Sequence, residues 1–373
     1  MDFSFTEEQQ EIAGLARRIL SDRVTVDLLK EVEAAPDRFD RGVWDELAKA
    51  GLLAIALPAD VGGGGYGVVE QCLVLEEVGR AIAPVPVLAS IVMGAAPIAE
   101  FGSEEQKRRW VEPAAEGRAI LTGALADPVH HNPAAPSTTA TRADGGWRLQ
   151  GVKTAVPAGP LADLFLVPAR VDGGVAVFLV EPGAEGVTLT RQRTTNRDSA
   201  GYLELSGCVV PDDAVLGSVE DGPRIVEWID QRATIGLCAM QLGITEQALA
   251  ETAEYTKTRV QFERPIATFQ AVGHRCADCY IDVEGVRLTL WQAAWRLSEG
   301  LPAAVDVEVA KFWAAEAGHR VAHAAVHLHG GMGVANEYPI HRRFVWAKQV
   351  EFMLGGATEQ LLRIGEALAS EPA

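Results

Sequence analysis

Apolar residues recur at helical spacing through four long stretches in the second half of the chain. These stretches cover residues 236–258, 269–297, 303–327 and 340–369, and only short connections separate them. Long antiparallel helices joined by short loops bury their apolar faces against one another as a bundle. The sequence therefore predicts a C-terminal four-helix bundle over residues 218–373.

The rest of the chain divides into a helical part and a strand-rich part. Capping boxes begin at Thr6 and Ser103, each with Gln three residues later, and predict helix starts within a mostly helical segment, residues 1–120. Short β-branched runs bounded by Gly and Pro then predict a small β-domain over residues 121–217. We therefore predict an α+β multidomain chain: N-terminal helical domain, middle β-domain and C-terminal bundle.

Charge and cysteine usage exclude several classes of function. The formal charge of −18 argues against nucleic acid or an anionic membrane as a partner. The five cysteines are scattered and predict no disulfide framework, and the pair Cys276 and Cys279 favours buried thiols over a metal or redox site. The first residues show neither a basic segment nor a long apolar run, so we expect a cytoplasmic protein.

Three blocks in the bundle region contain candidate functional residues. The run 327–333 ends a predicted helix with three glycines, which allow positive φ or the close approach of a ligand phosphate. A second block covers residues 259–266 and is followed by Phe269 and Gln270, and a third covers residues 355–359. Taken alone, the glycine run is more typical of a helix C-cap than of a ligand loop.

In this order, the three blocks resemble those of the acyl-CoA dehydrogenase family of flavoproteins, and the resemblance extends over nearly the whole chain. It implies the three-part architecture given above and the α,β-dehydrogenation of an acyl-CoA. It also implies an FAD cofactor between the β-domain and the bundle, with a partner subunit reaching over to hold the adenine and pyrophosphate.

The resemblance assigns this cofactor-holding role to Arg259, Phe262, Phe269, Gln270, His327, Gly330 and Gly331. Independently of it, the guanidinium fork of Arg259 suits a diphosphate, Phe262 can pack an adenine face, and Gln270 can bond a polar ring edge. The alternative is a solvated helix-end arginine and a core phenylalanine. Glu263 stands where the family usually has Gly, and its carboxylate weakens pyrophosphate binding unless Arg264 pairs with it.

The β-domain departs from the family where the flavin ring is covered. Ala126-Asp127-Pro128 is retained, but residues 129–136 replace the family's Gly-Ser-Asp turn. Ala155 takes the place of an aromatic that packs the isoalloxazine, and Pro157 that of a Thr or Ser that bonds it. Pro157 has neither a hydroxyl nor an N–H. The pair His130-His131 favours a solvated loop, and we predict no metal site.

The base that takes the α-proton is also missing. The family carries a Glu at one of two places, which correspond to Gly355 and to about Ala233. Neither residue can abstract a proton. Glu351 and Glu359 each lie one helical turn from Gly355, and either is a candidate for a relocated base. The alternative is that both are solvated helix residues.

Three functions remain open. In the first, this chain is the catalytically silent subunit of a heteromeric α2β2 acyl-CoA dehydrogenase and completes the FAD site of a homologous Glu-bearing partner, which holds most of the acyl-CoA. Some actinobacterial enzymes for steroid side-chain CoA esters are built in this way. The second is an active flavoenzyme working alone, with a relocated base or different flavin chemistry. The third is a binding or scaffold protein without flavin.

Overall fold

The computed structural model describes residues 4–129 and 132–370, and their contacts group the chain into two compact units. The first unit comprises Met1–Val26, Cys72–Ala83 and Thr234–Ala373, and the second Asp27–Gln71 and Pro84–Ala233. The described α-helices are α1 Glu7–Arg23, α2 Val26–Ala34, α3 Arg41–Lys49, α4 Val68–Ala81, α5 Ala96–Phe101, α6 Glu104–Gln106, α7 Glu112–Ala115, α8 Gly222–Thr258, α9 Gln270–Ser298, α10 Ala304–His329, α11 Ile340–Phe352 and α12 Ala357–Ser370.

The described strands are β1 Leu121–Gly123, β2 Thr139–Ala143, β3 Gly146–Pro157, β4 Leu164–Val171, β5 Gly174–Val180, β6 Val187–Arg193, β7 Ser199–Pro211, β8 Val260–Gln261 and β9 Arg264–Pro265. The two predicted capping boxes are confirmed. The hydroxyls of Thr6 and Ser103 accept the backbone N–H of Gln9 and Gln106, and both glutamine side chains accept the cap N–H in return. These two helix starts are therefore encoded locally.

Close helix packing in the first unit depends on glycine. A Cβ added at Gly79 of α4 would lie 2.1 Å from the carbonyl oxygen of Met240 on α8, and one at Gly243 would lie 1.9 Å from that of Glu76 on α4. The two backbones therefore approach closer than any side chain would allow. Further along, a Cβ at Gly318 of α10 would overlap Gln241 of α8, whose amide donates to the carbonyl of Ala314.

The prediction of a single fourth long helix over residues 340–369 is wrong, because this stretch forms two helices. Helix α11 ends at Phe352 and α12 begins at Ala357, and between them Leu354 and Gly355 adopt φ values of 57° and 93°. The apolar period continues through this break, so the sequence pattern did not reveal it. We refer to residues 353–356 as the elbow. The first bundle helix also starts earlier than predicted, at Gly222.

The second unit is built around a seven-stranded sheet in the order β1-β4-β2-β3-β7-β6, with β5 pairing β4. Strand β3 pairs with β7 along most of its length, and this pairing shifts register between Lys153 and Val156. Lys153 lies fully buried and pairs with Asp127 at 2.8 Å, while Asp127 also accepts the N–H of Ser137. Among the described residues, no helix is long and apolar enough to cross a membrane.

Candidate functional site

The block that begins at Arg259 forms a short β-hairpin with a two-residue turn. Arg259 lies exposed directly after α8, and the β8 residues Val260 and Gln261 pair with Pro265 and Arg264 of β9. Phe262 and Glu263 form the tip with φ values of 53° and 65°. This left-handed conformation is unfavourable for residues with a Cβ, and it explains why glycine suits position 263.

The hairpin tip presents aromatic and cationic groups to solvent. Phe262 is 87% exposed and meets the edge of Phe269, with ring centroids 6.1 Å apart. The guanidinium carbon of Arg264 lies 4.1 Å from the Phe269 ring centroid, so Arg264 stacks on an aromatic ring. Gln270, the first residue of α9, is exposed. Phe262 is therefore not the core residue of the alternative interpretation.

The glycine run follows directly on the end of α10. Gly330 adopts a φ of 58° and its N–H donates to the carbonyl of His327, so it ends the helix. A Cβ at Gly330 or Gly331 would meet nothing within 4 Å, and the His327 side chain is exposed. This geometry is that of a C-cap, and it leaves the backbone of both glycines open on one side.

His329 is a residue that sequence reasoning missed. It is buried, its Nδ1 lies 2.7 Å from the carbonyl of Ala325, and its ring stacks on Tyr255 of α8 at 4.2 Å. Burial lowers the pKa of His329, which favours the neutral ring. Because Tyr255 precedes Arg259 by one helical turn, this stack places the end of α8 beside the end of α10. In the sequence, only the spacing of the aromatic residues could have indicated this stack.

In the elbow, the space beside the backbone of Gly355 is filled by neighbouring side chains. A Cβ at Gly355 would lie 2.9 Å from Oε2 of Glu359 and 2.8 Å from Nε2 of Gln360. Lys311, fully buried on α10, donates to the carbonyls of Val350 and Glu351 at 3.0 and 3.1 Å and to that of Gly355 at 2.8 Å. One buried ammonium thus ties the end of α11 to the elbow.

Neither alternative carboxylate is a free, solvated group. Glu351 pairs with Lys348, and both contact Nδ1 of His319, at 3.3 and 2.8 Å. Glu359 pairs with Arg363 at 2.9 Å. Ala233, at the other position considered for a base, is completely buried. Both carboxylates are therefore engaged by cationic side chains of this chain.

The positions expected to face a flavin ring lie on the irregular part of β3. Ala155 is exposed with a φ of 48°, and its N–H donates to the side chain of Gln192. The carbonyl of Pro157 accepts the hydroxyl of Thr122 at 2.6 Å. These residues do not fit an isoalloxazine, because they offer it neither an aromatic surface nor a free donor. The exposed arginine, aromatic and glycine groups of the first unit do fit the adenine and diphosphate of FAD.

Metal and thiol chemistry find no support in the described part of the chain. No group of three metal-ligating side chains occurs there, and the pair His130-His131 lies outside it. All five cysteines are free, and burial raises the pKa of Cys279 to about 12. Such a thiol is protonated and unreactive at neutral pH.

Comparison with known proteins matches every part of the chain. Models of the acyl-CoA dehydrogenase N-terminal, middle and C-terminal domains match residues 6–118, 124–208 and 221–369. Acyl-CoA dehydrogenase FadE27 of Mycobacterium tuberculosis is 47% identical over the whole of both chains. A chain in the crystal structure of the ChsE4-ChsE5 complex from M. tuberculosis is 48% identical with a TM-score of 0.96, covering 100% of both chains. A variant of the Tcur3481-Tcur3483 steroid ACAD is 44% identical with a TM-score of 0.92, covering 97% of this chain and 98% of that one.

Proposed function

Because the chain belongs to the acyl-CoA dehydrogenase family, we propose that it is the subunit of a heteromeric acyl-CoA dehydrogenase that lacks the catalytic glutamate. The fold expected for this family, with N-terminal helices, a middle β-domain and C-terminal helices, is the fold observed. Members of the family typically bind FAD. In the proposed assembly this chain completes the FAD site of a homologous partner that carries the base and most of the acyl-CoA.

One observation carries this proposal: the space beside Gly355 is filled by Glu359 and Gln360, while Ala233 offers only a buried methyl group. A general base must reach the α-proton of the acyl group within hydrogen-bond distance. A glutamate at either position would have projected its carboxylate from the backbone, and neither position has one. The base in the proposed complex therefore belongs to the partner.

The exposed groups of the first unit give this chain its role in the complex. These groups are the exposed Arg259, Phe262 and Gln270, the half-buried Phe269 and the glycine turn at Gly330-Gly331. Together they supply what an adenine and a diphosphate need: a cationic fork, apolar surface and open backbone. FAD, when bound, supplies the hydride acceptor. A complex between two such chains is supported by the ChsE4-ChsE5 relative, and a steroid CoA ester as substrate by the relative described as a steroid ACAD. We place the complex in the cytoplasm.

A second candidate function is favoured by the position of Glu359. Its Oε2 lies 2.9 Å from the point at which the Cβ of a side chain on residue 355 would stand, so a stand-alone enzyme could use this carboxylate as a relocated base. Its ion pair with Arg363 argues against this role, because that contact would have to break before the carboxylate could reach a substrate.

Purification of the chain alone and with a co-expressed homologue separates these functions. We expect little or no flavin absorbance from the isolated chain, and flavin together with acyl-CoA dehydrogenation from the mixed complex. Stoichiometric FAD and turnover in the isolated chain would establish the stand-alone enzyme instead. Absence of flavin from both preparations would indicate a scaffold protein.

A further inference from the structure

Gln192 of β6 reaches across the neighbouring strand to the irregular part of β3. Because β7 lies between β3 and β6 in the sheet, Gln192 bonds a strand that its own strand does not pair with. Its Oε1 accepts the N–H of Ala155 at 2.6 Å, and its Nε2 donates to the hydroxyl of Thr154 at 3.0 Å. A single carboxamide therefore engages both residues of the bulge that the β3–β7 ladder leaves unpaired.

These contacts satisfy the bulge from within the chain. The N–H of Thr154 donates to the carbonyl of Ala126 at 2.9 Å, and the carbonyl of Pro157 accepts the hydroxyl of Thr122. Ala155 holds a left-handed φ of 48°, which is unfavourable for a residue with a Cβ, and the hydrogen bond to Gln192 offsets part of that cost. The backbone N–H groups of Thr154 and Ala155 thus both have hydrogen-bond partners within the chain.

We propose that Gln192 is a positioning residue that latches the β3 bulge and closes this chain's own β-domain to a flavin ring. The proposal rests on the proposed function, in which this chain completes the FAD site of its partner, and it leaves the flavin ring to the β-domain of that partner. A ring that took the N–H of Ala155 would have to displace the Gln192 carboxamide and leave it without its partners, which opposes binding. Gln192 thereby adds to two further obstacles, the missing aromatic at Ala155 and the missing donor at Pro157, so removing Gln192 alone does not admit the ring.

Amide hydrogen exchange at Ala155 in the isolated full-length chain tests the latch. Gln192→Leu removes both contacts, and we expect exchange at this amide to accelerate by roughly 5- to 10-fold, the effect of losing one typical hydrogen bond. Gln192→Glu keeps an acceptor for the N–H, so its exchange should stay close to that of the parent. Gln150→Leu, which changes an exposed glutamine on β3, is the matched control. Unchanged exchange in Gln192→Leu overturns the proposal.

Thr154→Val provides a second route that leaves Gln192 in place. It removes the hydroxyl that lies 3.0 Å from Nε2 and 3.2 Å from Oε1 of Gln192, but it keeps the bond from the Ala155 N–H, so we expect a smaller acceleration at Ala155 than in Gln192→Leu. Equal or greater acceleration would show that the bulge is held by Thr154 rather than by the carboxamide, and would overturn the assignment to Gln192.

Flavin content of the co-expressed complex distinguishes the latch from the function on which it rests. With the latch in a half-site that holds no ring, Gln192→Leu should leave flavin content unchanged while Ala155 exchange rises. Loss of flavin from that variant would mean that this β-domain covers the ring, and the latch as a closing device would be wrong. Stoichiometric FAD in the isolated parent chain would refute the proposed function and leave the exchange measurement to decide the hydrogen bond.

Discussion

The carboxylate of Glu359 lies against the backbone of Gly355, with Oε2 2.9 Å from the point at which a Cβ on residue 355 would stand. The elbow is thus not a glutamate site with its side chain simply deleted. Gln360 donates to the carbonyl of Leu354, and Lys311 donates to that of Gly355, so the backbone is fixed in the arrangement that excludes a side chain. This relationship gives a direct test of whether the lost base can be restored.

Gly355→Glu should fail to create an active chain and should destabilise it. The φ of 93° is unfavourable for any residue with a Cβ, and the new side chain would displace Glu359 or Gln360. A cost of about 1–3 kcal/mol in the free energy of unfolding is expected. Gly356→Ala is the control, because a Cβ there would come no closer than 3.8 Å to the carbonyl of Glu351. Denaturant titration and an acyl-CoA turnover assay measure both effects, and dehydrogenase activity in Gly355→Glu would contradict this account.

Glu351→Gln and Glu359→Gln should each leave turnover of the mixed complex within a few-fold of the parent. Removing the base of the partner should abolish it, since general base catalysis contributes roughly 10²- to 10⁴-fold. The measurement is the steady-state turnover number of each variant complex, compared with that of the parent complex at equal flavin content. A large rate loss from either variant, with folding and flavin intact, would mean that this chain carries a displaced base.

Arg259→Ala should weaken FAD retention in the complex while leaving the chain folded, because Arg259 is exposed after the end of α8. Loss of a charge-assisted contact to phosphate corresponds to a roughly 10- to 100-fold weaker affinity. Flavin content after dilution is the measurement, and Arg170→Ala, at an exposed arginine of β4, is the matched control. Equal retention by both variants would rule out a phosphate contact at Arg259.

The stability of the chain should carry a pH dependence from Lys311. Burial lowers the pKa of Lys311 from 10.5 to about 8 in the folded chain. Between these values the unfolded chain binds more protons at this residue than the folded chain, so its contribution to the free energy of unfolding rises with pH. From about pH 7.5 to about pH 9.5 the parent should gain stability relative to Lys311→Met, by at most about 1.4 kcal/mol per pH unit. Denaturant titrations of the parent and of Lys311→Met across this pH range provide the measurement. The same dependence of the free energy of unfolding on pH in both proteins would refute a lowered pKa at Lys311.

The sequence predicted the parts of the fold that local signals encode. The capping boxes at Thr6 and Ser103 fix helix starts with residues three apart, and the β-branched runs matched β4 and β5. The elbow escaped prediction because its determinant, Lys311, lies 44 residues from Gly355. The bonds that hold Ala155 escaped for the same reason, since Gln192 is 37 residues away. The Arg259 block could be singled out from the sequence because its residues are contiguous, and its role in holding a cofactor stays a prediction.

The close approach of α4 and α8 couples the effects of substitutions at Gly79 and Gly243, which are far apart in the sequence. Each glycine faces a carbonyl oxygen of the other helix, so alanine at either position forces the same two backbones apart. Once one substitution has separated the helices, the second costs less than it would alone, which is non-additivity between neighbours. We therefore expect substitutions at Gly79 and Gly243 to be energetically coupled. Once the two helices lie further apart, a side chain at one of these positions makes a side chain at the other less costly.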